Sequence, residues 1–412
     1  MDYQEAVDYI HSLLKFGIKP GLERIESLLN ELGNPQNELK YIHVAGTNGK
    51  GTTSTMLSNI LTDAGKKTGL FTSPYVFEFC ERIRIDGKNI PKDDLAKIVS
   101  EVRKAVEKLL KEGIKPTEFE VITAAALLYF KKEKCDYAVM EVGLGGKFDS
   151  TNIIPCPEVC VITSVSLDHT NILGDTVEKI ASEKCGIIKN GTKVVTTSLQ
   201  DGKALAVIKQ TAYKENAELK IADFKCAEII KADIHGTEII YKSKNYSIPL
   251  VGEHQIENTL GVIEAAGCID GISYENIYNG ISKTVMHGRM ELIKENVFLD
   301  GGHNEECSLA LKNVIEKYLK DKKITAVIGM MSDKDCEKYL QNILPYCDRV
   351  IFTKPDNPRA EEPENLKCIG EKIIIKTDIE ITPKNAYYIA LEESEFVIVC
   401  GSFYLLSDIF NN

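Results

Sequence analysis

The run Ala45-Gly46-Thr47-Asn48-Gly49-Lys50-Gly51-Thr52-Thr53 sets glycines, one lysine and several hydroxyls side by side. Backbone N–H groups of such a turn, the N-terminus of a following helix and an ammonium together cradle phosphate, and a hydroxyl just beyond them can reach a metal ion. The spacing is not the common GxxxxGK form: two residues part Gly46 from Gly49, and Gly51 stands between Lys50 and Thr52. A glycine-rich turn with an exposed lysine is the plainer alternative. Downstream, Ser73 in LFTSP offers an oxygen of the kind magnesium takes, and Arg82 in ERIRI offers a guanidinium for a carboxylate. A Ser-Pro turn and a solvated strand face account for the same letters. Glu141 leads into VGLGGKFDSTN, where an acid among small residues can ligate a nucleotide-bound metal. Ser166-Leu167-Asp168-His169 brings an acid and an imidazole to another such place. Farther along, Asp300 in DGGHN can take ribose hydroxyls, and Arg289 after Gly288 can reach phosphates. Lys184, within EKIASEKCG, has charges on both faces of its helix and reads as a salt-bridged surface lysine.

These residues act together only if one scaffold gathers them. Apolar β-rich runs at residues 41–45, 69–72, 136–142, 158–165 and 193–196 alternate with helical patterns at 53–64, 93–111, 118–131 and 176–188. Short, nearly all-apolar strands separated by helices belong to a parallel sheet covered on both faces, and the strand C-termini are where such sheets bind ligands. The glycine-rich loop, Ser73, Glu141 and Asp168-His169 each follow one of these strands. From about residue 228 to 250 the period shortens to an antiparallel ribbon, and helices return at 256–268 and 274–283. A second series of strands is expected at 297–300, 324–329, 349–353, 372–376 and 396–400. The fold class is α/β: a parallel-sheet P-loop domain over 1–287 that carries the small ribbon, then a smaller Rossmann-like α/β domain over 288–412, with the joint near 286–291.

A chain of 412 residues, at roughly 150 per domain, is too long for a single small module. Apolar residues at 43% and charged residues at 27% exclude a disordered or fibrous chain. The net charge of −11, spread without a basic arm, argues against nucleic acid or an anionic membrane as partner. The 12 cysteines include no CxxC and read as free thiols in a reducing cytosol. The opening MDYQEAVDYIHSLLKF reads as an amphipathic helix with charges inside it, so neither a signal peptide nor a membrane span is expected.

Taken in order, KFGIKPGLERIESLLNELGNPQ at 15–36, HVAGTNGKGTTS at 43–54, LFTSPYVFEFCERIRIDG at 70–87, PTEFEVITAAAL at 116–127, MEVGLGGKFDSTNI at 140–153, SLDHTNILGDTVEKIASEKCGI at 166–187, HGRME at 287–291, DGGHN at 300–304 and GSFYLL at 401–406 span nearly the whole chain. This series resembles the folylpolyglutamate synthase and dihydrofolate synthase branch of the Mur ligase family, which uses the same unusual loop spacing. The resemblance implies an ATP-dependent ligase that adds L-glutamate to a folate or dihydropteroate carboxylate through an acyl phosphate. It implies that Asn48, Gly49, Lys50, Gly51, Thr52 and Thr53 hold the triphosphate, and that Asn258, Arg289 and Asp300 contact the nucleotide. Ser73, Glu141 and His169 become magnesium ligands, with two ions expected. Lys184 is expected to be carbamylated, which turns a repulsive ammonium into an anionic oxygen ligand. Lys50, Glu141, His169 and Lys184 then form the catalytic set.

For the folate, the resemblance carries over Lys19, Pro20, Gly21, Leu22, Arg82, Glu118, Phe119, Glu120 and Phe148, with His303 as a further substrate contact. Phe119 and Phe148 are candidates to stack on the pterin. A monovalent cation such as potassium is an additional candidate cofactor. The expected partners are ATP, a folate or dihydropteroate, and L-glutamate, with no nucleic acid or membrane, in a cytoplasmic monomer. The sequence departs from the family pattern at Tyr75 (often histidine), Lys147 (usually arginine), His287 (commonly proline) and Gly302 (more usually alanine). A cell-wall Mur ligase is expected to carry a further N-terminal domain, whereas about forty residues precede the loop here. A GTPase-type switch is expected to show NKxD after a strand, and the sequence has none.

Overall fold

Tyr41, Ile42, His43, Val44 and Ala45 are all buried in strand β1 (Lys40–Ala45). A strand with no wet face belongs at the centre of a sheet covered by helices on both sides. The computed structural model, which describes residues 1–17, 19–374 and 376–410, places it there. The other strands of this sheet are β2 (Thr68–Phe71), β3 (Ile83–Ile85), β4 (Lys88–Asn89), β5 (Tyr137–Glu141), β6 (Val159–Ile162), β7 (Lys193–Thr197) and β8 (Glu218–Ala222). Their order is β4-β3-β2-β5-β1-β6-β7-β8. All neighbours from β2 to β8 run parallel, while β3 and β4 fold back antiparallel at one edge. The chain leaves β1 for β2 on one side, returns through β5, and leaves again for β6 on the other. That reversal opens a crevice at the carboxyl ends of β5, β1 and β6.

The helix that leaves β1 begins at Lys50 and runs to Asp63, three residues earlier than expected, because Gly49 completes the turn at a φ of 82° and Lys50 is already helical. Residues from Thr52 to Ser58 are buried without a break. The small side chains let a second backbone come close: a Cβ at Gly280, in the helix Tyr274–Ser282, would lie 2.5 Å from Ile60. Two further helices, Lys92–Lys111 and Glu118–Lys132, bury apolar faces in a core with β2 and β5. The helix Gly202–Lys214 and β8 were not expected from the sequence. Strand β8 reads Glu-Leu-Lys-Ile-Ala and is half-exposed at the sheet edge, so it lacks the continuous apolar run of its neighbours.

The ribbon consists of β9 (Ala227–Asp233), β10 (Gly236–Tyr241) and β11 (Lys244–Ile248). Two-residue connections permit only antiparallel pairing, and Lys242 and Ser243 both take positive φ, as the tight hairpin turn requires. The last sheet has β12 (Glu291–Lys294), β13 (Val297–Asp300), β14 (Ile324–Ile328), β15 (Arg349–Phe352), β16 (Thr377–Ile379) and β17 (Phe396–Cys400) in the order β12-β13-β17-β14-β15-β16. It is parallel except for β12, an antiparallel edge that the sequence did not reveal. The strand expected at 372–376 includes Ile375, which lies outside the described residues, and the strand found there is β16 instead.

By internal packing the chain divides into Met1–Glu228 with Tyr241–Tyr246 and Glu257–Thr284, and Ile229–Ile240 with Ser247–Ile256 and the chain from Val285 onward. This division differs from a single cut after residue 287 at 285–287 and at 229–240 and 247–256, the last two including parts of the ribbon. Among the described residues, no helix is long and apolar enough to cross a membrane.

Candidate active site

The loop after β1 is held from its neighbour's side. Thr47 N–H donates to Ser164 O at 2.6 Å, Thr163 Oγ1 donates to Asn48 O at 2.7 Å, and Ser166 N–H donates to Thr47 Oγ1 at 3.0 Å. A Cβ at Gly46 would lie 1.7 Å from Thr163 Oγ1, so only glycine admits this clasp. Lys50 Nζ turns back into the bend and donates to Gly46 O at 3.0 Å and Thr47 O at 2.9 Å. Gly49 meets Asn258, whose Oδ1 would lie 2.2 Å from a Cβ there. Thr53, Thr163, Glu257 and Asn258 line a recess of about 250 Å³, and Thr53 Oγ1 is buried without a hydrogen-bond partner. An ammonium, a helix start at Lys50-Gly51-Thr52 and an orphaned hydroxyl are groups that can cradle phosphate.

Glu141 ends β5 directly beside Val44 of β1. It is buried, and one carboxylate oxygen accepts the N–H of Ser73 at 3.1 Å, which brings two of the candidate metal ligands together. Asp168 and His169 follow β6. His169 takes a φ of 50°, and its N–H donates to Asp168 Oδ1 at 2.8 Å. Its Nε2 lies 3.9 Å from Asp168 Oδ2, too far for a hydrogen bond, and the imidazole is half-exposed. A carboxylate, a hydroxyl and an imidazole at the ends of β5, β2 and β6 suit an ion held mainly by phosphate oxygens, since magnesium on nucleotides takes only one or two carboxylates from the protein. Among the described residues, no three His, Cys, Asp or Glu side chains form a self-sufficient metal cluster.

Lys184 is not the surface lysine its sequence suggests. It is buried, and its Nζ donates to Gly46 O at 2.8 Å. Burial, then the Lys50 ammonium, lower its pKa to about 7, against the pull of Asp168 and Asp149. The glycines of VGLGG bring it there: a Cβ at Gly146 would lie 2.7 Å from Glu183 O and 2.8 Å from Lys184 O. Lys50, Lys184, Asp168, His169 and Gly143 line one recess of about 300 Å³.

Of the residues proposed for the folate, Lys19, Arg82, Glu118, Phe119 and Glu120 are tied to the start of the Glu118–Lys132 helix. Glu120 is buried and caps its own helix by accepting Thr117 N–H at 2.7 Å. It also pairs with Arg24 at 2.9 Å. Arg24 in turn donates to Lys19 O, which ties 19–22 to this helix, with Leu22 opening the helix Glu23–Glu31. The Glu120 carboxylate is therefore occupied in holding protein. Arg82, read as a partner for a substrate carboxylate, pairs with Glu118 at 3.1 Å and lies over Tyr75 and Phe79, while its buried Nε has no partner. Phe119 packs on Phe71 and lies 2.4 Å from the position of a Cβ at Gly143, whereas Phe148 is exposed beneath the Lys147 ammonium.

In the second unit, Asp300 ends β13 with Oδ2 buried and unpartnered. Burial pushes its carboxyl up to about 6, although the Arg289 guanidinium opposes the shift. Arg289 lies 4.4 Å from the centre of the Phe403 ring, and His303 Nδ1 is 3.4 Å from Gly301 O.

The Mur ligase middle domain matches residues 44–266, and the dihydrofolate synthetase C-terminal domain matches 284–412. The dihydrofolate synthase/folylpolyglutamate synthase of Bacillus subtilis is 37% identical over 99% of this chain and 98% of its own length. The chain belongs to the folylpolyglutamate and dihydrofolate synthase family of Mur ligases. It is an ATP-dependent ligase. The crystal structure of folylpolyglutamate synthase from Thermotoga maritima superposes with a TM-score of 0.87 at 31% identity, covering 99% of this chain and 95% of that one. The structure of Escherichia coli FolC in complex with DHPP and ADP gives 0.87 at 28% identity, over 99% of this chain and 97% of that one.

Each departure of this ligase from the family pattern has a local partner. Tyr75 stacks beside Phe79 under Arg82. Lys147 caps the Phe148 ring at 4.9 Å. His287 Nδ1 lies 3.0 Å from Glu291 Oε1. A Cβ at Gly302 would lie 2.7 Å from Cys307 Cβ, so an alanine there requires the cysteine to move. Arg24 and Thr163 were missed from the sequence, and Thr47 and Asp149 were read only as members of longer runs, with no role of their own. Asp149 accepts from Leu144 N–H at 2.8 Å and Thr151 Oγ1 at 2.6 Å, and so shapes the Gly143–Gly146 turn from below. Its place in the KFDST motif was the available signal; Arg24 and Thr163 gave none.

Proposed function

We propose that this ligase joins L-glutamate to the carboxylate of a folate or of dihydropteroate, with ATP split to ADP and phosphate. The observation that carries this is the convergence of Lys50, Lys184, Asp168 and His169 on one recess, beside the Ser73–Glu141 pair. In the first step a substrate carboxylate oxygen attacks the γ-phosphorus, the bond to the β-bridging oxygen breaks, and ADP leaves. The acyl phosphate then accepts the glutamate amine at its carbonyl carbon, and the tetrahedral intermediate expels phosphate as the amine loses its proton. Loop amides and Lys50 hold the triphosphate in line, as phosphoryl transfer demands. Asn258, Arg289 and Asp300 are assigned to the nucleotide, and Phe119 and Phe148 to the pterin. Glu141, Ser73 and His169 would hold magnesium, which neutralises charge on the transferring phosphoryl group. Lys184 is assigned as a carbamate: its neutral amine adds CO₂ and releases one proton, giving an anionic ligand in place of an ammonium next to Lys50. The cytoplasm suits an enzyme of free thiols and soluble substrates.

With purified protein, ATP, magnesium and glutamate, phosphate is expected only when dihydropteroate or a reduced folate is added, and a side-by-side assay of the two ranks them. Equal turnover without a pterin would sink the assignment. Glu141→Ala is expected to lower turnover by roughly 100-fold or more, since its carboxylate is the buried anion of the site; near-parent activity removes its role.

A further inference from the structure

The ladder between β6 and β7 ends at Ile162↔Thr196, yet the backbone just beyond it must hold the phosphate loop. Gln200, buried in the turn after β7, takes over there. Its Nε2 donates to Thr163 O and, at 3.1 Å, to Thr196 Oγ1, and its Oε1 accepts the N–H of Val165 at 3.1 Å. A primary amide offers a donor and an acceptor as a peptide group does, so this side chain supplies one more rung after the strand itself has ended. On the opposite side the same stretch grips the loop: Thr163 Oγ1 binds Asn48 O, Ser164 O takes Thr47 N–H, and Ser166 N–H binds Thr47 Oγ1. Two residues farther on come Asp168 and His169.

We propose that Gln200 is a positioning residue for nucleotide and metal: by fixing the backbone at 163–166 it sets both the curvature of the phosphate loop and the place from which His169 projects. This rests on the assignment of residues 46–50 as the phosphate cradle. Gln200 does not line the recess of Lys50 and Lys184, so its effect passes through Thr163, Val165 and Thr196.

Gln200→Glu keeps the volume and the acceptor but loses the donor, and Gln200→Met loses both. In each, the KM for magnesium-ATP is expected to rise at least tenfold, together with the magnesium concentration for half-maximal rate. The KM values for glutamate and the pterin substrate are expected to stay within twofold, in protein with the parent circular dichroism spectrum. Unchanged kinetics, or a fall in kcat with an unchanged KM for ATP, overturns the proposal. Should Gln200→Met not fold, Gln200→Glu alone carries the test. Equilibrium binding of a non-hydrolysable ATP analogue to Lys50→Ala separates the two layers. Parent affinity in Lys50→Ala removes the cradle assignment itself. Lost affinity there with parent affinity in Gln200→Glu removes only the role of Gln200.

Discussion

The carbamate proposed at Lys184 would couple protonation to chemistry at a single atom. With its ammonium held at about 7 in the folded chain, roughly half the amine is neutral at pH 7, against about one part in three thousand at the ordinary lysine value. Only the neutral form adds CO₂. Enzyme depleted of CO₂ below pH 6 is therefore expected to be inactive and to recover on addition of bicarbonate at pH 8, with a mass gain of one CO₂ localised to Lys184; recovery without that gain removes the carbamate. The same shift acts on stability. The unfolded chain binds the extra proton between pH 7 and about 10.5, so this group adds stability as pH rises through that window. Asp300 has the opposite sign. Its carboxyl sits at about 6 when folded, against a reference of 3.8. Its contribution is complete below pH 3.8 and is lost as pH rises through 6, a cost of roughly 3 kcal/mol at neutral pH. Asp300→Asn is expected to raise the melting temperature by a few degrees at pH 7, with the gain gone near pH 4, and to raise the KM for ATP. A gain independent of pH contradicts the buried carboxylate as its source.

Between elements, glycines decide how closely the helix Val177–Cys185 approaches the turn after β5. Gly146 faces the carbonyls of Glu183 and Lys184, and a Cβ at Gly186 would lie 2.4 Å from Lys147 Cα, so turn and helix interlock through backbone on both sides. Backbone atoms cannot rotate away as a side chain can. Gly146→Ala is expected to displace Lys184 by a fraction of an ångström to about 1 Å and to lower kcat by roughly 100-fold. Gly202→Ala, with nothing within 4 Å, serves as the control with parent rate. Equal rates in both variants remove the interlock. This level was only partly legible in the sequence. Strands β13 and β17 stand where the apolar runs placed them, because a fully buried parallel strand writes an uninterrupted pattern. The edge strands β3, β4, β8 and β12 are short or half-wet and leave no such pattern.

Across the whole molecule, all 12 cysteines are free and only Cys156, Cys226 and Cys368 are exposed. Three thiols are expected to react rapidly with an aromatic disulfide reagent in the native enzyme, and the buried ones only on unfolding; fast reaction of more than these and the half-buried Cys307 and Cys347 contradicts the packing. Through its resemblance to the family the sequence determined the reaction class, and its local patterns placed the glycine-rich loop and the strand ends that carry Ser73, Glu141 and His169. The loop and strand-end signals are local: a turn, a strand and the residue after it. Tertiary structure alone decided that Lys184 is buried, that Glu120 is occupied by Arg24, and that Gln200 bonds the backbone of Thr163 and Val165. Their partners lie 138, 96 and 37 residues away, respectively. A side chain's burial and pKa follow from what the fold brings against it, and no periodicity along the chain encodes a neighbour that arrives from another strand.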